Sequence, residues 1–189
     1  MTDSESTDPT AHGRVAVWVV LPVAVVVALL LVLLATRDPS SERQVRSSLL
    51  GGLAPDIVGP TLDGEVFSID DQRGRWVVVN FFSTTCIPCI REHPELVAFQ
   101  SSHMAAADAT VVSIAFDDSA DNVRRFFAEN GGDWPVLVED TGAVAVRYGV
   151  TGVPESYLVA PTGVVASKFI GGLRADDLDA VIDRLSEPG

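Results

Sequence analysis

The apolar positions of this 189-residue chain fall into three patterns. The first is an unbroken run, "VAVWVVLPVAVVVALLLVLLAT" at residues 15–36, uncharged and apolar on every side for 22 residues. At ~1.5 Å of rise per residue, a helix of that length crosses the ~30 Å hydrocarbon core of a bilayer. The run therefore predicts one N-terminal transmembrane helix, with Pro22 tolerated near its start. A core helix would be apolar along one stripe only. A cleaved signal peptide carries a shorter apolar stretch, and "LLATRDPSS" is a poor cleavage site, so the run is read as an uncleaved signal-anchor.

The second pattern is the short apolar run bounded by turn residues, suited to a strand buried on both faces. "WVVVNFF" from Trp76 and "TVVSIAF" from Thr110 are of this kind, and "WPVLVED" adds a third strand. "TLDGEVFSI" predicts a hairpin turning at Asp63 and Gly64, and "ESYLVAPTGVVASKFIGG" a pair of strands around Pro161, Thr162 and Gly163. The third pattern has helical spacing. It follows the cysteines to about Ser102, with Pro94 as a kink, and recurs in "SADNVRRFFAENGG", capped by Ser119 and stopped by Gly131. "TGAVAVRYGV" predicts a short helix, and "RADDLDAVIDRL" an amphipathic last one.

Strands alternating with helices argue for an α/β domain, a central sheet flanked by helices. The chain then divides into a polar tail at 1–14, the anchor at 15–36, a Ser-, Gly- and Pro-rich linker at 37–53 and one folded domain at 54–189.

Composition changes this picture in two places. The net charge of −13, with one lysine, Lys168, against twelve arginines, excludes the clustered cations that a nucleic-acid partner needs. Arg14 alone precedes the apolar run, whereas Arg37, Arg43 and Arg46 follow it. Counted locally, these arginines point the folded domain toward the cytoplasm.

The candidate chemistry lies in "FFSTTCIPCIREHPEL", which holds both cysteines, Cys86 and Cys89. As a structural staple, a disulfide closing so short a loop contributes only ~2 kcal/mol in the chain-entropy view. As a zinc site, Cys86, Cys89 and His93 need a fourth ligand, and the folded domain has no other cysteine and only His103 besides. Haem attachment is excluded because Ile90 stands where that motif requires His. Redox exchange fits best, since a strand running into a helix puts Cys86 at a helix N-terminus, where unpaired N–H groups favour a thiolate. Cys89, one turn on, faces the same way and can resolve a mixed disulfide.

Beyond the cysteines, the segments "APDIVGPTLDGEVFSIDDQRGRWVVVNFF", "CIPCIREHPEL", "YGVTGVPESYLVAPTG" and the closing "GGL" resemble the thioredoxin superfamily. The likeness is to its membrane-anchored cytochrome c biogenesis branch, the TlpA/ResA/DsbE-like redoxins. The resemblance implies a thioredoxin-like fold: a central mixed β-sheet flanked by helices, with an N-terminal β-hairpin extension. It implies Cys86 as attacking thiol, Cys89 as resolving thiol, and Pro154 as a cis-proline facing them, with the Val153 backbone open to an extended peptide. Glu92 and Glu155 match acidic positions that tune proton movement, and Asn80 stands where many thioredoxins have a buried acid. One departure is Thr85, where the branch usually has tryptophan. Trp134 and the Asp117–Asp118 pair read as packing and helix-entry features.

The resemblance implies a monomeric thiol-disulfide oxidoreductase on the extracytoplasmic side of the cell membrane. It works with no cofactor other than its own redox-active disulfide. The client is an apocytochrome c whose CxxCH disulfide is reduced, or another thiol protein, and a membrane thiol-electron donor regenerates the pair. This placement opposes the local arginine count. Two alternatives use the same cysteines: a general disulfide oxidant or reductase, since potentials span ~150 mV within one motif, and a copper chaperone holding Cu(I). A peroxidase lacks the proline ahead of the cysteine.

Overall fold

The computed structural model describes residues 22, 23, 25–30, 32, 47–138 and 142–186. The chain divides into two units, 1–39 and 40–189. In the first, residues 22, 23, 25–30 and 32 are helical. Among the described residues, no helix is long and apolar enough to cross a membrane. The remainder of the predicted span at 15–36, the tail at 1–14 and the linker up to residue 46 lie outside the described residues.

The second unit begins with an antiparallel hairpin, β1 (Val58–Pro60) and β2 (Val66–Ser68). Its turn uses Gly64 at φ 85°, a left-handed conformation that costs glycine nothing. A 3₁₀ turn at Asp70–Gln72 leads into β3 (Trp76–Phe82), α1 (Ile87–His103) and β4 (Ala109–Ala115). There follow α2 (Ala120–Asn130), β5 (Val136–Val138), α3 (Ala143–Tyr148), β6 (Glu155–Val159), β7 (Val165–Ile170) and α4 (Ala175–Ser186). The main sheet runs in the order β5-β4-β3-β6-β7, with β3, β4 and β5 parallel and β6 and β7 antiparallel. The strand and helix periods predict such an α/β sheet with its hairpin, and the mixed thioredoxin-like topology is the one the family resemblance implies.

β3 is central, and its period of two divides the interior. Trp76, Val78 and Phe82 face a core with Leu96 and Phe99 of α1, Val123 of α2 and Leu178 of α4. Val77, Val79 and Phe81 face a second core with Ile57, Phe67, Tyr148 and Tyr157. Every residue of β3 and β4 is buried, which explains their unalternating apolar sequence. Their polar residues are Asn80 of β3 and Thr110 and Ser113 of β4, and Asn80 and Ser113 lie side by side in register.

The ordered fold reaches further toward the N-terminus than the end of the linker read from sequence. Gly51 N–H donates to the Val165 carbonyl, Val165 N–H to that of Gly52 and Ala54 N–H to that of Gly163. Leu49 and Leu50 also pack against the second core. Ser119 caps α2 through its hydroxyl, and Gly131 ends that helix at φ 76°. α1 runs on through Pro94 to His103.

Candidate active site

The parallel β3-α1-β4 unit brings the end of a fully buried strand to the start of a helix, and Cys86 occupies that junction. It is the N-cap of α1, with an extended backbone, and its Sγ accepts the Cys89 N–H at 3.2 Å. Pro88 in the first turn has no N–H to leave unpaired. Cys86 and Cys89 form a disulfide, so the state described is the oxidised one. Cys86 is half-buried, whereas Cys89 is 3% exposed. An incoming sulfur therefore reaches Cys86 first.

Opposite the pair, the Val153–Pro154 peptide is cis, and the Val153 carbonyl oxygen lies 3.5 Å from Cys86 Sγ. The "GVTGVPES" segment is held from behind by its own glutamate. Glu155 Oε1 accepts from the Thr151 N–H at 3.0 Å and the Thr151 hydroxyl at 2.8 Å. Its Oε2 pairs with Lys168 Nζ at 2.7 Å, and Lys168 lies 5.0 Å from the centre of the Tyr157 ring. Burial pushes the Glu155 carboxyl up, but Lys168 and the two Thr151 donors outweigh it and hold the group below its usual range. Glu155 stays ionised at neutral pH.

Glu92 is also buried, at 3% exposure, one helical turn beyond Cys89. Its Oε1 accepts from Asn80 Nδ2 at 2.7 Å and its Oε2 from the Leu173 N–H at 3.1 Å. Leu173 closes the "GGL" segment, which gives that motif a place in the site. Burial pushes Glu92 up to about 7, against the lowering by Leu173 and Asn80. A carboxyl so placed exchanges a proton near neutral pH, which Glu155 does not.

Neither glutamate is the solvated surface residue that its charge alone suggests. His93 belongs to the core. Its Nε2 lies 2.8 Å from the Gly131 carbonyl, and its ring packs on Phe126, Phe127 and Trp134. Burial pulls its pKa down despite that bond, so the ring is neutral. A C-x2-C-x3-H metal set needs this side chain turned toward the cysteines, and it is engaged elsewhere. Among the described residues, no group of three or more His, Cys, Asp or Glu side chains could hold a metal ion.

Two features escape sequence reading. The turn before Cys86, residues 83–85, is gripped by Asp118 at the entry to α2. Asp118 Oδ2 accepts from the Thr84 N–H at 2.7 Å, the Thr84 hydroxyl at 2.6 Å and the Ser83 hydroxyl at 3.2 Å. Its Oδ1 accepts from the Ser119 N–H and Asn122 Nδ2. Asp118 is a helix-entry residue, as predicted, and it also holds the turn that carries the attacking cysteine. Thr85, in the position usual for tryptophan, is exposed and lies 3.2 Å from the Ser83 hydroxyl. The second missed feature is Lys168. A lone cation in the apolar strand "VASKFI" needs a buried partner, which was the signal available.

Comparison with known proteins agrees with this geometry. The sequence profile of the AhpC/TSA family matches residues 50–168. The thiol:disulfide interchange protein CycY of Rhizobium leguminosarum bv. viciae is 34% identical over 100 residues, 52% of this chain and 52% of CycY. The chain thus matches about half the length of that relative. The thiol:disulfide interchange protein HelX of Rhodobacter capsulatus is 30% identical over 152 residues, covering 79% of this chain and 82% of HelX. Among solved structures, a putative thiol:disulfide interchange protein DsbE from Chlorobium tepidum superposes with a TM-score of 0.65 at 28% identity. The match covers 71% of this chain and 96% of that one.

Proposed function

The chain belongs to the AhpC/TSA family, and on that premise we propose that it is a membrane-tethered, extracytoplasmic reductant of apocytochrome c. It is a thiol-disulfide oxidoreductase whose working group is the Cys86 and Cys89 pair. The client is the disulfide of a CxxCH segment, which must be opened before haem attaches. The observation that carries the exchange reading is the buried Glu92, raised to about 7, one helical turn from the buried Cys89.

Starting from the reduced pair, Cys86 thiolate attacks one client sulfur. A Cys86–client disulfide forms, and the other client sulfur leaves as thiolate. Glu92 takes the Cys89 proton, Cys89 attacks Cys86 Sγ, and the second client thiolate departs. Two electrons have moved to the client, whose thiolates recover the two protons, one of them by way of Glu92. A membrane thiol-electron donor then returns the pair to the dithiol state. The Val153 carbonyl beside Cys86 offers an acceptor to an extended client backbone. The apolar run at 15–36 is the anchor, which confines enzyme, donor and client to one surface and raises their effective concentration.

Trapping tests the reading. Cys89→Ala removes the resolving thiol and leaves Cys86 in mixed disulfides for identification by mass spectrometry. Capture of apocytochrome c or its haem-ligation machinery is expected. Capture of many unrelated exported proteins makes the chain a general oxidant or reductase, and capture of cytosolic proteins alone overturns the extracytoplasmic placement.

A further inference from the structure

Glu92 is held by Asn80, and Asn80 is itself held by a chain of donors that crosses the sheet. Trp134 Nε1, a donor only, gives its proton to Ser113 Oγ at 2.9 Å. The Ser113 hydroxyl, having accepted, donates to Asn80 Oδ1 at a longer 3.4 Å. That leaves the amide nitrogen of Asn80 facing the other way, where it donates to Glu92 Oε1 at 2.7 Å and to Ser156 Oγ at 3.0 Å. Every member is buried: Trp134 at 8%, Ser113 at 1%, Asn80 at 2% and Ser156 at 1% exposure. The chain has a sense of direction because its first group cannot accept. With Ser113 oriented by Trp134, a flipped Asn80 would place an amide N–H₂ against a hydroxyl proton and its oxygen against a carboxylate.

We propose that Trp134 and Ser113 are positioning residues of the exchange site, which through Asn80 keep N–H donors on Glu92 and so set how readily it takes up and gives back a proton. This rests on the role given to Glu92 above. Several charged and titratable groups on the surrounding elements have partners of their own. On α1, Cys86 and Cys89 share a disulfide, His93 bonds Gly131 and Glu95 accepts the Ala175 N–H. Glu155 of β6 pairs with Lys168 of β7, and Arg174 with Asp176 at the start of α4. Besides burial and the Leu173 N–H, the Asn80 amide bears on the Glu92 proton, and the relay holds that amide.

The test is the pH titration of the Glu92 carboxyl carbon by NMR, on the full chain in detergent with ¹³C-carboxyl glutamate and Glu92→Gln as the assignment control. Ser113→Ala frees the Asn80 amide to turn and is expected to move the midpoint upward by about 0.5 to 1 pH unit, the scale of one net hydrogen bond. Trp134→Phe removes only the orienting donor, and a smaller shift of the same sign is expected. An unmoved midpoint in a folded Ser113→Ala protein overturns the proposal. If that variant does not fold, an unmoved midpoint in Trp134→Phe does so. The midpoint reads the relay whether or not the chain reduces anything, so a failed client assay with shifted midpoints counts against the proposed function alone.

Discussion

Two buried glutamates flank one disulfide, and they have opposite fates. Glu92 and Glu155 are exposed by 3% and 1%, and each accepts from backbone and side-chain donors. What separates them is a cation. Glu155 has Lys168 at 2.7 Å and is held below its ordinary range, whereas Glu92 has only neutral donors and is pushed up to about 7. Burial disfavours a carboxylate at both sites, and an adjacent ammonium reverses the outcome where two or three dipoles do not. In the exchange proposed above the pair divides the labour: one carboxylate is a fixed brace behind the Val153–Pro154 segment, and the other carries the proton for Cys89.

Removing the cation should make the two alike, with the largest effect on the molecule. Lys168→Met leaves Glu155 buried and unpaired, a change that typically costs about 3–5 kcal/mol. Urea unfolding of the full chain at neutral pH should show this loss. Its pH dependence carries the sign. In the parent, the lowered Glu155 contributes stability above its unfolded pKa of 4.5, lost as pH falls through the folded value. In Lys168→Met the folded pKa rises instead, so stability should recover as the medium is acidified. A loss that stays constant from pH 8 to 5 would mean that packing of the lysine stem, not its charge, holds the brace.

The converse change removes the proton carrier. Glu92→Gln should slow dithiol exchange about 100-fold at neutral pH, the ordinary scale of general acid-base assistance, and the loss should shrink as pH rises and hydroxide can serve as the base. Stability moves the other way. A folded pKa of about 7 against 4.5 unfolded means that Glu92's contribution is fully present below pH 4.5 and is lost as pH rises through 7. The loss is about 3 kcal/mol at 1.36 kcal/mol per unit. Glu92→Gln should flatten that decline in a pH series of urea midpoints. A variant that keeps both the exchange rate and the slope would remove Glu92 from the mechanism.

How much of this was legible in the sequence follows the reach of each interaction. The strands, the helices, the Asp63–Gly64 turn and the Ser119 cap depend on neighbours within a few residues, so periodicity and turn chemistry located them. Cys86 at a helix N-terminus followed from the same local pattern. Cis-Pro154 came from the family resemblance, not from any period, whereas the burial of Asn80 was implied both by that resemblance and by the apolar run around it. The fates of Glu92 and Glu155 were hidden because their partners are remote: Leu173 is 81 residues from Glu92, and Lys168 lies across a strand pair from Glu155. The relay through Ser113 and Trp134 was hidden for the same reason. Trp134 looked like core packing, which it also provides, and the direction of its N–H appears only once β4 and β3 are in register.

Asp118 supplies the control for burial itself. It resembles Glu92 in having neutral donors, but it is half-buried, and it accepts from three donors at the turn before Cys86 and two at the start of α2. Burial pushes its carboxyl up, yet the Thr84 hydroxyl and N–H, with Ser119 and Asn122, outweigh that and hold it below its usual range. Neutral dipoles thus suffice where water still shares the solvation, and fail at the depth of Glu92. Asp118→Asn keeps the size and one acceptor while removing the charge. It should cost about 1 kcal/mol at neutral pH, the smallest of the three effects, because each lost bond is partly replaced by solvent. Because the folded pKa is lowered, the difference between variant and parent should vanish as pH falls through that value. A second readout separates the turn from general stability: the rate at which iodoacetamide alkylates reduced Cys86. If the three-donor grip orders the turn that presents Cys86 at the helix N-terminus, the pH midpoint of that alkylation should move in Asp118→Asn. A full 1 kcal/mol loss with an unmoved midpoint would make Asp118 a cap for α2 and nothing more.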